Sequence, residues 1–120
     1  MTVSVIAELP AFDTGQYEDC EFILSGNIAT LKIKVAGLTP IHFRFARVRW
    51  HQFTAVYNCT PEMARDAYFR LVEYTSSTAV AQFVQRDQAS RKAYKRLGHY
   101  RIFLDETGCH EVFAESASAL

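Results

Sequence analysis

The stretch of residues 41–57, IHFRFARVRWHQFTAVY, constrains the fold of this chain more than any other segment. It contains the only tryptophan, three of the nine phenylalanines, three arginines and two of the four histidines, and no acid, glycine or proline interrupts it. Such residues favour strands, so we expect one long or bent strand at the centre of a sheet. The apolar positions change parity twice, and each change requires an extra residue. We therefore predict bulges or a turn near Ala46 and near residues 51–52.

Composition predicts a single domain over residues 1–120. Hydrophobic residues make up 49% of the chain, and a chain of this length buries roughly two thirds of its unfolded surface. No apolar run approaches the roughly 20 residues that cross a bilayer, and the N-terminus lacks a signal-peptide pattern. Three widely spaced cysteines, Cys20, Cys59 and Cys109, favour reduced thiols over a disulfide framework. We expect a cytoplasmic protein with no membrane partner.

Alternating segments predict strands in the first third of the chain. Residues 2–9 alternate until Pro10, which indicates an edge strand or a loosely held arm. Residues 20–24 and 30–35 flank a Ser-Gly-Asn turn and predict a hairpin.

Two helices are predicted in the second half. Thr60 can cap a short helix over residues 61–66. A continuing helical face would fit Met63, Ala67, Leu71 and Tyr74, but the segment is equally rich in strand formers, and we favour a strand over residues 67–75. Residues 76–78 cap a longer helix from 79 to 97, which carries an apolar stripe and ends at Gly98.

Residues 99–116 form the clearest predicted hairpin. Its turn is Asp-Glu-Thr-Gly, and Gly108 suits the left-handed position of a bulged loop. Residues 109–114 are apolar on both parities, which predicts a strand covered on both faces, and residues 116–120 are predicted to fray. The fold class is therefore α+β: a mostly antiparallel sheet of five to seven strands with one long helix packed on one face.

Charge is neutral in total but arranged in blocks. Residues 1–31 carry five acids and no bases, and residues 32–51 carry five bases and no acids. The hairpin places the first block opposite the second, so cross-strand neutralisation is the simplest interpretation. The alternative is that the blocks present separate acidic and basic faces to partners.

No motif of metal, cofactor or nucleophile chemistry is present. The cysteines and histidines do not fall at the C-x-x-C or H-x-x-x-H spacing of zinc sites. Cys109 stands beside His110, but adjacent strand residues point to opposite faces. No glycine-rich nucleotide loop or nucleophile elbow appears. We expect no metal and no cofactor, and we interpret the cysteines as small buried hydrophobes.

The basic central stretch allows a nucleic-acid hypothesis. His42 and His51 could act as acid and base in metal-independent phosphodiester cleavage, with Arg44 and Arg49 stabilising the charged transition state. With Trp50, Phe53 and Tyr57 as stacking surfaces, the same stretch would suit binding of RNA or single-stranded DNA. The zero net charge argues against this alternative, because such domains usually carry a basic surface.

The terminal segment HYRIFLDETGCHEVFAES, preceded by RLVEYTSSTAV, resembles small bacterial proteins that accompany secreted or contact-delivered toxins as immunity proteins. The resemblance covers residues 67–116 and includes no catalytic motif. It implies a cytosolic α+β protein that occludes a cognate toxin, as in contact-dependent growth inhibition, and that performs no chemistry of its own.

A toxin that is a nuclease has a basic substrate cleft, and an inhibitor commonly offers acids to such a cleft. The candidate partner-binding acids are Glu18, Asp19, Glu21, Asp105, Glu106 and Glu111.

A further alternative is a homodimer that forms through an uncovered edge strand at residues 3–9.

Overall fold

The computed structural model of the protein describes residues 2–86 and 96–120. Within these residues seven strands form one sheet, in the order β1-β5-β6-β7-β4-β3-β2, and every neighbouring pair is antiparallel. This confirms the predicted mostly antiparallel sheet of five to seven strands. The strands are β1 (Thr2–Glu8), β2 (Tyr17–Ser25), β3 (Ile28–Val35), β4 (Ile41–Ala55), β5 (Arg70–Thr75), β6 (Gly98–Leu104) and β7 (Gly108–Ala119).

The described helices are short. Two 3-10 turns cover Thr14–Gln16 and Val56–Asn58, α1 covers Pro61–Arg65 and α2 covers Thr78–Arg86. The predicted continuation of the long helix falls on residues 87–95, which lie outside the described residues. None of the described helices is both long and apolar enough to traverse a bilayer.

The central stretch forms the single long strand β4, which lies beside the central strand β7. Phe45 and Val48 both pack on the main core although their positions differ in parity, and between them Arg47 adopts a φ of 54°. The chain therefore changes parity near Ala46, as predicted. The second irregularity lies between Val48 and Trp50, before the predicted position at residues 51–52.

The C-terminal residues do not fray, so that prediction is wrong. Residues 116–119 continue β7 and pair with residues 43–46 of β4, and the backbone N–H of Leu120 donates to the carbonyl of His42 at 2.9 Å. The first half of β4 would otherwise leave its backbone groups on this side without partners. The small alternating residues of the tail gave no hydrophobic signal for this pairing.

The core divides into two clusters on the two faces of the sheet. The main cluster collects residues from all seven strands, including Leu31, Phe43, Phe45 and Ile102. The second lies on the other face, where Val72, Phe103 and Cys109 pack against the Val56–Asn58 turn, Cys59 and α1. Residues 109–114 of β7 are buried at both parities apart from half-buried Glu111, which confirms that this strand is covered on both faces.

Most local predictions at the edges of the fold are confirmed. β1 is an edge strand paired with β5, and the β2–β3 hairpin turns at Gly26, whose φ is 62°. Thr60 caps α1 by accepting from the backbone N–H of Met63 at 3.4 Å. The next strand starts at Arg70, later than predicted, because Phe69 adopts a left-handed φ of 52°.

Candidate functional site

The turn between β6 and β7 is held by two other parts of the chain. The backbone N–H of Val56, just after β4, donates to the carbonyl of Thr107 at 3.1 Å. The hydroxyl of Tyr17, at the start of β2, hydrogen-bonds to the Thr107 side chain. The Tyr17 side chain is buried, so packing holds it in place where it connects β2 to the turn. The bent sheet therefore brings the beginning of β2, the end of β4 and the β6–β7 turn to one end of the molecule.

The geometry of this turn differs from the prediction at one position. Glu106, with a φ of 72°, occupies the left-handed position that we assigned to Gly108. Gly108 instead has a φ of 143° and lies against β4, where an added Cβ would approach the carbonyl oxygen of Thr54 to 2.2 Å. Only glycine allows this close approach. The turn is thus packed directly onto the β4 backbone.

Three large aromatic side chains are exposed around the turn. Tyr57 is 97% exposed, and Phe53 and Tyr68 are 48% and 46% exposed. Tyr68 is fixed by a hydrogen bond from its hydroxyl to Asp105 Oδ2 at 3.0 Å and by stacking on Phe103 with the ring centroids 5.9 Å apart. Partial burial and the Asp105 carboxylate both raise the pKa of Tyr68, so it stays a neutral donor.

Three of the predicted partner-binding acids accompany these aromatics. Asp105 and Glu106 form the turn, and Glu18 follows Tyr17, whose hydroxyl reaches Thr107. Glu18 and Glu106 are exposed, and Asp105 is half-buried. We call this set the turn-end surface. It comprises Glu18, Phe53, Tyr57, Tyr68, Asp105 and Glu106.

Two other predicted acids are paired within the sheet. Asp19 lies opposite Lys34 and Glu21 lies opposite Lys32 in the β2–β3 ladder. Glu21 also approaches Lys34, with 3.6 Å between its Oε1 and the lysine Nζ. The cross-strand neutralisation predicted from the charge blocks is therefore present at this pair of strands.

Glu111 lies in the interior of the fold, away from the other predicted acids. Its Oε2 accepts from His99 Nε2 at 2.8 Å and from the Arg101 guanidinium at 3.1 Å, and its side chain is 14% exposed. Burial acts to raise the pKa of Glu111, but the hydrogen bonds from His99 and Arg101 outweigh it and lower the pKa. Glu111 is an ionised internal acceptor with little surface to offer a partner.

The structure does not bring the two histidines of the nucleic-acid hypothesis together. His42 lies opposite Lys32 and alternates with the buried Phe43, whereas His51 packs on Phe22 of the main core with the ring centroids 4.8 Å apart. They therefore lie on opposite faces of β4. They are nine positions apart in the sequence, which corresponds to roughly 30 Å along a straight strand. A shared phosphodiester could not contact both imidazoles.

The two arginines of that hypothesis are also separated along β4. Arg44 is exposed and lies opposite Thr30 in β3. Arg49 is half-buried and lies in the irregularity between Val48 and Trp50. The basic residues follow a bent strand and do not converge on one cleft.

One buried histidine, His110 of β7, was not among the site residues predicted from the sequence. His110 is buried between Phe22 and Phe53, and its Nε2 lies 3.6 Å from Cys20 Sγ. Burial, with a smaller contribution from His51, lowers the pKa of His110 to about 4. The apolar neighbours in β2 and β4 could be identified only once the bend of the sheet was known.

The cysteines have the properties of buried apolar groups. Cys109 is fully buried, and burial raises the pKa of its thiol to about 12. Burial also raises the pKa values of Cys20 and Cys59. Thiolate character is thus suppressed at all three. Within residues 2–86 and 96–120, no three cysteine, histidine or acidic side chains lie close enough together to hold a metal ion.

Comparisons with protein families, with curated proteins and with solved structures found no match to this chain. The likeness to immunity proteins therefore stays a prediction from the sequence. The functional argument depends on the geometry of the chain itself.

Proposed function

We propose that this protein binds and occludes a basic partner protein through the turn-end surface, as an immunity-type inhibitor of a cognate nuclease toxin. The observation that carries this proposal is the grouping of exposed aromatics with carboxylates around the β6–β7 turn. The acids of this surface were predicted from the sequence as partner-binding residues, whereas Phe53 and Tyr57 were predicted only as stacking surfaces for nucleic acid and Tyr68 was not predicted as a binding residue.

The aromatic residues supply the binding energy in this proposal. Tyrosine dominates protein interfaces because it buries a large area and loses little conformational freedom. Tyr57 is almost fully exposed in the free chain, so a partner would remove nearly its whole ring from water. Tyr68 is already held in place by Asp105 and Phe103, which reduces the entropy lost on binding.

In this proposal the carboxylates orient the partner and raise the association rate. Glu18, Asp105 and Glu106 place negative charge around the aromatics, and a basic nucleic-acid cleft is complementary to that charge. Such complementarity raises the association rate and falls with ionic strength. The proposal therefore expects binding that slows as salt is added.

The test uses the product of the adjacent gene as the candidate toxin. The two proteins are co-expressed, and complex formation is measured by gel filtration, with nuclease activity measured with and without this chain. We expect a stable complex and loss of the nuclease activity. Two separate elution peaks together with unchanged activity would contradict the proposal.

A charge-reversal pair tests the role of the turn. Glu106→Lys places a base at the exposed turn, and we expect it to reduce the association rate by about tenfold at low salt. Glu21→Lys is the matched control, because Glu21 is equally acidic but pairs with the β3 lysines. Equal rates for the two variants would remove the turn from the recognition surface.

The nucleic-acid alternative keeps a direct assay but lacks geometric support, since His42 and His51 lie on opposite faces. Retention on heparin that is lost with salt would favour it.

The homodimer alternative concerns β1, whose outer edge has no partner among the described strands. Light scattering at two protein concentrations would detect such a dimer.

A further inference from the structure

Three polar side chains form a hydrogen-bonded chain at the end of β6 opposite the turn. Ser77 Oγ lies 2.7 Å from His99 Nδ1, and His99 Nε2 lies 2.8 Å from Glu111 Oε2. Ser77 follows β5 directly before α2, His99 is in β6 and Glu111 is in β7. The antiparallel pairing of β6 with β7 places Glu111 diagonally from His99 and opposite Arg101.

One assignment of the protons satisfies all of these hydrogen bonds with a neutral imidazole. Ser77 Oγ accepts the backbone N–H of Val80 at 3.2 Å, which leaves the hydroxyl proton for His99 Nδ1. A neutral imidazole that accepts at Nδ1 carries its own proton on Nε2 and donates it to Glu111. Glu111 is ionised by its contacts with His99 and Arg101. His99 is therefore oriented to take the proton of the Ser77 hydroxyl.

Exposure decreases from Ser77 to His99. Ser77 is half-buried, whereas His99 is 4% exposed. Beside Ser77 the surface forms a cavity of about 320 Å³. Its apolar wall includes Val80, Ala81 and Leu97, and its polar rim carries the Arg96–Glu73 ion pair. The serine thus borders a space that admits a small molecule, and the histidine lies behind it.

We propose that Ser77 is the nucleophile of an acyl-transfer site that hydrolyses short-chain carboxylic esters. Ser77 Oγ would bond to the ester carbonyl carbon while its proton moves to His99 Nδ1. The proton then passes to the alcohol oxygen as the carbon–oxygen bond to the alcohol breaks. Water next attacks the acyl-serine, gives one proton to His99, and releases the carboxylic acid as Ser77 regains its proton.

Each residue has a distinct role in this site. Ser77 and His99 are the catalytic residues, and Glu111 is a positioning residue that holds the imidazole tautomer. Capping of α2 uses only one lone pair of the Ser77 oxygen, so it does not prevent the reaction. The apolar wall of the cavity favours a short acyl chain.

This site lies apart from the turn-end surface. His99 is at the start of β6, and the turn that carries Asp105 and Glu106 follows the other end of that strand. The proposal therefore goes beyond partner binding, and each of the two proposals can fail without the other.

The test combines covalent capture with turnover. The full chain is treated with a fluorophosphonate, the adduct is located by peptide mass spectrometry, and hydrolysis of p-nitrophenyl butyrate is followed by absorbance. We expect one adduct, on Ser77, and a rate above the uncatalysed reaction. His99→Gln should lower the rate by about 100-fold or more, because it removes the base.

The controls separate catalysis from folding. Ser77→Asn keeps a good helix cap but has no nucleophile, so it should remain folded and lose both the adduct and the activity. Ser116→Ala changes an exposed serine of β7 and should leave both unchanged. A folded wild-type chain that forms no adduct on Ser77, or that hydrolyses the ester no faster than Ser77→Asn, would overturn the proposal.

Discussion

The turn and the middle of the β6–β7 hairpin place acidic residues in opposite environments. At the turn, Glu106 is exposed, and Asp105 accepts from the Tyr68 hydroxyl and from the backbone N–H of Glu106. Six residues further on, Glu111 lies in the interior between His99 and Arg101. All three acids look alike in the sequence. The comparison teaches that pairing partners across the sheet, and not position along the chain, decide whether an acid is exposed to solvent or forms hydrogen bonds in the interior.

The largest difference between these two environments should appear in the free energy of unfolding. Glu111→Gln removes the charge that balances Arg101, and loss of one partner of a buried pair costs about 3 to 5 kcal/mol. Since Glu111 retains some exposure, we expect about 3 kcal/mol of lost unfolding free energy, whereas Glu106→Gln should change it by less than about 0.5 kcal/mol. Urea unfolding of both variants measures this. Equal losses would mean that the two acids are not in different environments.

The second prediction concerns the stability that is lost at acid pH because His110 is buried. In the unfolded chain this histidine titrates near its ordinary pKa of 6.5, but in the folded chain only near about 4. Between these values the unfolded state binds more protons, so stability falls as the pH is lowered. The loss should be about 3 kcal/mol, complete near pH 4 and absent above pH 7. Glu111, whose pKa is also lowered, acts in the same direction below this window.

His110→Phe isolates that effect. Phenylalanine has a similar shape and cannot be protonated, and Phe22 and Phe53 already surround the site. We expect unfolding curves of the variant to change much less between pH 7 and pH 4 than those of the wild type. Parallel pH dependence in the two proteins would show that His110 is not the responsible group.

A smaller effect tests how firmly the turn is fixed to β4. Gly108→Ala brings a Cβ against the Thr54 carbonyl, and we expect a loss of about 2 kcal/mol. Gly26→Ala is the matched control, since its φ is also positive but no atom lies within 4 Å. Only the backbone strain of about 1 kcal/mol applies there. Melting temperatures should rank wild type, Gly26→Ala and Gly108→Ala in descending order, and a reversed order of the two variants would indicate a loosely held turn.

Much of the sheet could be predicted because its strands alternate and its turns carry glycine. The β2–β3 hairpin and the short helix after Thr60 follow from such local signals. The tail was missed because residues 116–119 carry only alanine and serine, and their pairing depends on how far β4 extends. The second irregularity of β4 was displaced because side-chain parity alone does not reveal where the partner strand shifts register.

The candidate sites were only partly predictable for the same reason. Asp105 and Glu106 were identified because a turn exposes its residues. Tyr57 and Tyr68 join them through the contacts of Val56 and Asp105, which link distant segments. Ser77 was recognised as part of a helix cap, but its partner His99 lies 22 residues away and could be assigned only from the fold.

The most direct test of the turn-end surface is the affinity of the partner for Tyr57→Ala. Tyr57 is nearly fully exposed, so the variant should keep its melting temperature. Ile23→Ala is the control, because it removes an exposed apolar side chain at the far end of β2, outside the turn-end surface. With the co-purified partner in a calorimeter, we expect Tyr57→Ala to raise Kd by about 30-fold or more, as an interface anchor does. Ile23→Ala should leave Kd within about threefold of the wild type. An unchanged Kd for Tyr57→Ala would contradict recognition through the turn-end surface.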